Sequence, residues 1–226
     1  SKGGLPTVGM LAVPILSLQI APMTAATLLL PIFVISDVFG IYIYRKQFSA
    51  INLKRLIPAG LFGVMVGWSL AAVLSDAFFS FLIGIPGIGF CLNMWLRQAP
   101  TTPKPANRLG AYVWGTLAGL TSFISHSGAP PFQIYMLPQR LPKLVFAGTS
   151  TLFFAVINAA KIWPYQSLRP YSNDMLLFAG LLIPFAIAGT FLGAIATRKI
   201  QDKWFFLLVQ ITLFLVSLKL VVGVFF

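Results

Sequence analysis

The sequence contains no glutamate, four aspartates, a single histidine and a single cysteine among its 226 residues. Cys91 stands alone inside an apolar run, so it can form no intrachain disulfide, and it leaves the redox compartment undetermined. No cysteine pair, HExxH motif or carboxylate pair is available, so neither a metal site nor paired acid–base catalysis has the residues it needs. Ser125 and His126 are adjacent on one stretch of backbone, where their side chains do not readily converge as a Ser–His dyad must. The chain is therefore read as a non-enzyme with no catalytic residue, metal or cofactor. Charge is scarce as well: Asp, Glu, Lys and Arg make up 9% of the chain, where about 25% is usual in soluble domains.

What fills the space is apolar. Hydrophobic residues are 58% of the chain, with 21 phenylalanines, and the mean hydropathy is +0.89. A soluble globule of this size could not cover that surplus. The reading is an all-α polytopic membrane protein, with room for some eight segments at about 20 residues per span. The net charge of +12 would suggest nucleic acid in a soluble chain. Here it is read as loop orientation, because basic residues collect on cytoplasmic loops; no nucleic-acid partner is expected.

Six full-length apolar runs can be marked, at 24–44, 56–75, 77–96, 145–163, 175–196 and 204–226. Two further stretches, 5–18 and 109–138, do not fit the spanning template. The second would be roughly 45 Å long as one helix, against a hydrocarbon core of about 30 Å, and it is broken at Ser125-His126-Ser127-Gly128-Ala129-Pro130-Pro131. Basic residues gather in loops 45–55, 97–108, 139–144 and 197–203. Six crossings place all four loops on one side only if 109–138 enters and returns to that side. Re-entry is thus the expected path. Trp95, Trp163 and Trp204 fall at span ends, as interfacial anchors do.

An internal repeat runs through the chain. At an offset of 126, Pro58 meets Pro184, Gly63 meets Gly189, Gly67 meets Gly193 and Asp76 meets Asp202. Earlier in each half the offset is 121, where Ala26 meets Ala147 and Asp37 meets Asn158. Two inverted repeats are expected, 1–96 and 109–226, joined by a cytoplasmic linker at 97–108, each a broken re-entrant segment plus three transmembrane helices. Transporters built this way bind substrate between their broken helices near the midplane. The second half has residues 109–124 ahead of its break and the first has none ahead of Ser1, so a half-helix is expected to precede this sequence. Gly63-x-x-x-Gly67 and Gly189-x-x-x-Gly193 are read as close helix packing.

The two breaks carry the chemistry. Non-helical backbone at membrane depth survives where it is buried in protein or lines a polar cavity. The freed N–H groups at a half-helix start, with the positive end of its dipole, favour an anion. Lys2, Gly3 and Gly4 in the first break, and Ser125, His126, Ser127 and Gly128 in the second, are the expected anion-binding residues. Gln133 lies one or two turns beyond and could aim its amide inward. Asp37 sits well inside a span, where an acid is a functional candidate by default; it is a counter-ion of Lys2, a proton carrier or a reach to a helix terminus. Asp37, Asn158 and Ser150 are read as coupling or polar support. Lys161 is expected to snorkel from the outer end of its span to the headgroups.

These residues carry a resemblance. SKGG followed by Gly9 and Pro14, then SHSGAPPFQIYMLPQ and AGTSTLFFAVIN, resemble the TauE/SafE family of membrane permeases, also called TSUP, over essentially the whole chain. Ser127 and Ala129 depart from it, standing where many members are richer in glycine. The resemblance implies a secondary transporter of a small sulfur-containing anion such as sulfite, sulfoacetate or another organosulfonate, often outward, in a bacterial inner membrane. A passive anion channel and an importer of sulfur oxyanions are the alternatives. Monomer and homodimer both stay open.

Overall fold

The computed structural model describes residues 9–71 and 103–199, with scattered positions between 75 and 96 and between 211 and 223. Its helices are α1 (Ala12–Leu16), α2 (Pro22–Tyr44), α3 (Ala50–Ala71), α4 (Arg108–Ser125), α5 (Ala129–Met136), α6 (Lys143–Leu168) and α7 (Asn173–Lys199), with a 3-10 turn over Leu137–Gln139 between α5 and α6. Among the described residues there is no strand. Among the described residues, four helices are long and apolar enough to cross a membrane: Pro22–Tyr44, Ala50–Ala71, Lys143–Leu168 and Asn173–Ala196. They coincide with four of the six runs expected from the sequence. The runs 77–96 and 204–226 fall largely outside the described residues.

Local chemistry explains the ends. Pro22 opens α2 in the first turn, where its missing N–H is no loss. The Asn107 side chain accepts from the Gly110 N–H and caps α4. The Ser172 hydroxyl accepts from the Met175 N–H (3.2 Å) at the start of α7, which carries Asp174 in its first turn. Pro31, Pro58, Pro164 and Pro184 lie inside helices, as spanning helices tolerate when neighbours re-satisfy the freed carbonyls. α3 starts at Ala50, earlier than the apolar run at 56, because Asn52 and Leu53 already face the interior while Lys54 points outward. Hydropathy reads the apolar run; the helix begins where the packing face begins.

Among the described residues, the tightest pairing is α3 on α4. A Cβ at Gly63 would land on the Thr116 carbonyl, and one at Gly119 on the Gly60 carbonyl. The first GxxxG motif is therefore a backbone-to-backbone contact. α2 packs against α6 and α7, and α3 against α6, so α6 is enclosed by neighbours.

Three of the basic segments meet at one end. The Ser49 N–H donates to Thr149 Oγ1 (2.8 Å), and the Arg55 guanidinium donates to the Ala106 carbonyl (3.0 Å). Asn52, 1% exposed, donates through Nδ2 to Gln139 Oε1 (2.9 Å) and accepts at Oδ1 from the Tyr135 hydroxyl (3.0 Å). The Lys104 N–H donates to the Pro138 carbonyl (2.8 Å), so the stretch from 104 to 138 ends beside its own beginning. It is a closed helical hairpin, α4 out and α5 back. Asn52→Leu removes the acceptor of Tyr135 and the donor to Gln139 inside this buried network. The expected cost is about 1–3 kcal/mol, seen as a lower melting temperature of the detergent-solubilised protein; an unchanged melting temperature contradicts a holding role.

Candidate functional site

The hairpin reverses at the polar break. α4 ends at Ser125, and His126 takes the left-handed conformation (φ 54°, ψ 21°) that carries the chain out of the helix. That conformation is unfavourable for a residue with a Cβ, so contacts must hold it. The His126 N–H donates to the Ser122 carbonyl (2.9 Å) and the Ser127 N–H to the Thr121 carbonyl (3.2 Å). These bonds engage helix-end carbonyls that have no partner within the helix itself.

The imidazole ties three helices together. Nε2 lies 2.9 Å from the Ala26 carbonyl on α2, and Nδ1 lies 2.7 Å from Lys161 Nζ on α6. A carbonyl only accepts, and a charged lysine only donates; with Lys161 charged, the compatible tautomer carries its proton on Nε2 and offers Nδ1 to the lysine. Phe33 meets the ring edge-on at 4.8 Å, and Tyr165 lies 5.9 Å from it. The Tyr165 hydroxyl donates in turn to the Phe123 carbonyl.

Lys161 corrects the expectation that it snorkels outward. Its side chain is fully buried and donates to the Ser122 carbonyl (2.9 Å), Ser122 Oγ (3.1 Å) and His126 Nδ1 (2.7 Å). The ammonium turns inward because the C-terminus of α4 presents carbonyls and the negative end of its dipole. Trp163, two residues on, faces outward at 73% exposure, as an interfacial anchor should.

Three residues before Lys161 on the same helix, Asn158 Nδ2 donates to Asp37 Oδ2 at 2.7 Å, and both residues are 3% exposed. The two positions paired by the sequence repeat therefore touch. In the break itself, Ser125 Oγ donates to the Thr121 carbonyl (3.4 Å) and Ser127 Oγ to the Ser125 carbonyl (3.2 Å). A Cβ at Gly128 would meet the Ala118 carbonyl and the Phe154 ring, so α5 can approach α4 only with glycine here.

α5 is a thinner anion cradle than its position suggests. Pro130 and Pro131 in its first turn have no N–H, and the Phe132 N–H is taken by the Gly128 carbonyl (3.3 Å). Only the Gly128 and Ala129 amides are left to carry the positive end of this helix. Gln133 on α5 and Ser150 on α6 are buried. Lys2, Gly3 and Gly4 lie outside the described residues. The sequence reading assigned Lys161 to the headgroups and passed over Ser122. The signal was available for Lys161: it follows Asn158 at helical spacing on the same face, and an ionisable side chain within a span is a functional candidate.

The sequence matches the sulfite exporter TauE/SafE family over residues 3–220. No curated protein and no solved structure matches it significantly. That family suggests membrane transport of sulfur anions, in keeping with the four apolar helices among the described residues. With nearly its whole length covered, the chain belongs to the TauE/SafE sulfite exporter family.

Proposed function

We propose that the protein is a secondary transporter that exports a small sulfur-containing anion, such as sulfite, sulfoacetate or another organosulfonate. The observation that carries this reading is the family match over residues 3–220. The buried cluster of Ser125, His126, Ser127 and Gly128 supports it physically, since polar irregular backbone at membrane depth belongs to binding sites. Gln133, together with Lys2, Gly3 and Gly4 of the first break in the sequence, completes the set of anion-binding residues in this proposal. Asp37, Asn158 and Ser150 give polar support.

The architecture proposed for that function is two inverted repeats, 1–96 and 109–226, joined by the linker 97–108. The contact between Asp37 and Asn158, 121 residues apart, supports it, because repeat mates that touch lie on the axis relating the halves. The bond from Lys104 to Pro138 supports a re-entrant 109–138 hairpin. The gathered basic segments then face the cytoplasm of a bacterial inner membrane, by the excess of Lys and Arg on that side.

Proteoliposomes loaded with sulfite or methanesulfonate test the function. Saturable efflux at about 1–1000 turnovers per second, the range of ordinary enzyme turnover, is the expected result. Liposomes that release no sulfur anion faster than protein-free controls would sink the proposal, and single-molecule currents would replace the carrier with a channel.

A further inference from the structure

We propose that Lys161 is the fixed positive charge of the anion site, that Ser122 and His126 position it, and that it makes the site select for charge as well as shape. This rests on the transport reading above and names the residue that recognises the anionic group. Three observations converge on it. Lys161 is a fully buried base whose ammonium lies 2.7 Å from His126, inside the break that reverses the hairpin. Its place is over-determined: Ser122 contributes both its carbonyl (2.9 Å) and its hydroxyl (3.1 Å), and the His126 ring is held from the far side by the Ala26 carbonyl (2.9 Å). The alternative source of positive potential is weak, because Pro130 and Pro131 remove two N–H groups from the start of α5.

A charge held this way is already oriented before any ligand arrives, so its attraction for an anion costs little reorganisation. In a low-dielectric layer that attraction is also stronger than in water. The competing account is purely structural, with Lys161 capping the exposed carbonyls of α4. The two accounts separate on one property. A cap supports the fold and treats all ligands alike, whereas a recognition charge favours an anion over a neutral molecule of the same shape.

Methanesulfonate and dimethyl sulfone are such a pair, tetrahedral at sulfur and similar in size, one charged and one neutral. Binding of each, and of sulfite, is measured by calorimetry on the full chain in lipid nanodiscs. The three N–H groups of Lys161 are taken by Ser122 and His126, so its charge acts on the anion through its field. Wild-type protein is expected to prefer methanesulfonate, and Lys161→Gln to reduce that preference by at least about 5-fold, the size of a unit-charge attraction at about 4 Å in water, while leaving sulfone binding unchanged. Lys161→Arg keeps the charge and is expected to keep the preference. If Lys161→Gln does not fold, Lys161→Arg decides alone, because a folded arginine variant without the preference overturns the proposal. A folded Lys161→Gln protein that discriminates as well as wild type overturns the role of Lys161 and leaves the transport reading standing. Wild-type protein that binds neither sulfite nor methanesulfonate overturns the transport reading, and this inference with it.

Discussion

Gly63→Ala is expected to abolish folded protein or to lower its stability by at least about 3 kcal/mol, the upper end of the usual overpacking cost, while Gly189→Ala is expected to change almost nothing. The two glycines are mates in the sequence repeat, and each opens a GxxxG motif. Their surroundings differ. The added methyl at Gly63 would fall on the Thr116 carbonyl and 2.8 Å from the Leu120 amide nitrogen, which are backbone atoms of α4 and cannot rotate away. The helices would have to separate along their most extensive contact, which Gly60, Gly115 and Gly119 also line. At Gly189 a Cβ meets nothing within 4 Å among the described residues, and alanine is the better helix former by up to about 1 kcal/mol. Thermal ramps read by fluorescence size-exclusion, on both variants in the same detergent, give the comparison. Equal losses in the two variants would show that the close α3–α4 approach is not what stabilises the bundle.

That contrast also marks how far the sequence can be read. Four of the spans were legible because an apolar run of about 20 residues has few other uses, and the break between Ser125 and Ala129 was legible because 109–138 is too long for one crossing and too polar at its centre. The GxxxG repeat was legible as a pattern but not as a contact, since the pattern is symmetric and, among the described residues, the packing around Gly63 and Gly189 is not. Lys161 was misread for a related reason. Position along a span says how far a lysine is from the headgroups; it does not say that another helix will end beside it and supply two acceptors from one residue, Ser122. The anion cradle was overread at Pro130 and Pro131, where the residues that start a helix well are also the ones that lack the N–H an anion needs. Long-range partners such as Ala26 for His126 leave no trace in local pattern at all.

Asp37 and Asn158 provide the second large effect, and the one that bears on mechanism. Asp37→Leu leaves the Asn158 amide without its carboxylate acceptor at a site 3% exposed, with an expected cost of about 1–3 kcal/mol. Asn158→Leu removes the same buried hydrogen bond from the other side, at a cost of about 1–3 kcal/mol. Because the side chains touch, the losses should not add, and the double leucine variant is expected to recover about 0.5–3 kcal/mol of their sum. The informative variant is the exchange Asp37→Asn with Asn158→Asp. It rebuilds the 2.7 Å bond with donor and acceptor reversed across the axis proposed to relate the halves, so stability should stay near wild type. Transport then separates two roles for the carboxylate. If its place at the crossing of α2 and α6 is what matters, the exchanged protein moves sulfite with the same pH dependence as wild type. If Asp37 is a proton carrier that must sit on α2, the exchanged protein remains folded, binds the anion and loses that pH dependence, as Asp37→Asn alone should. An exchanged protein that fails to fold while Asp37→Asn alone folds would show that the surroundings of the pair, not its hydrogen bond, decide which helix holds the charge.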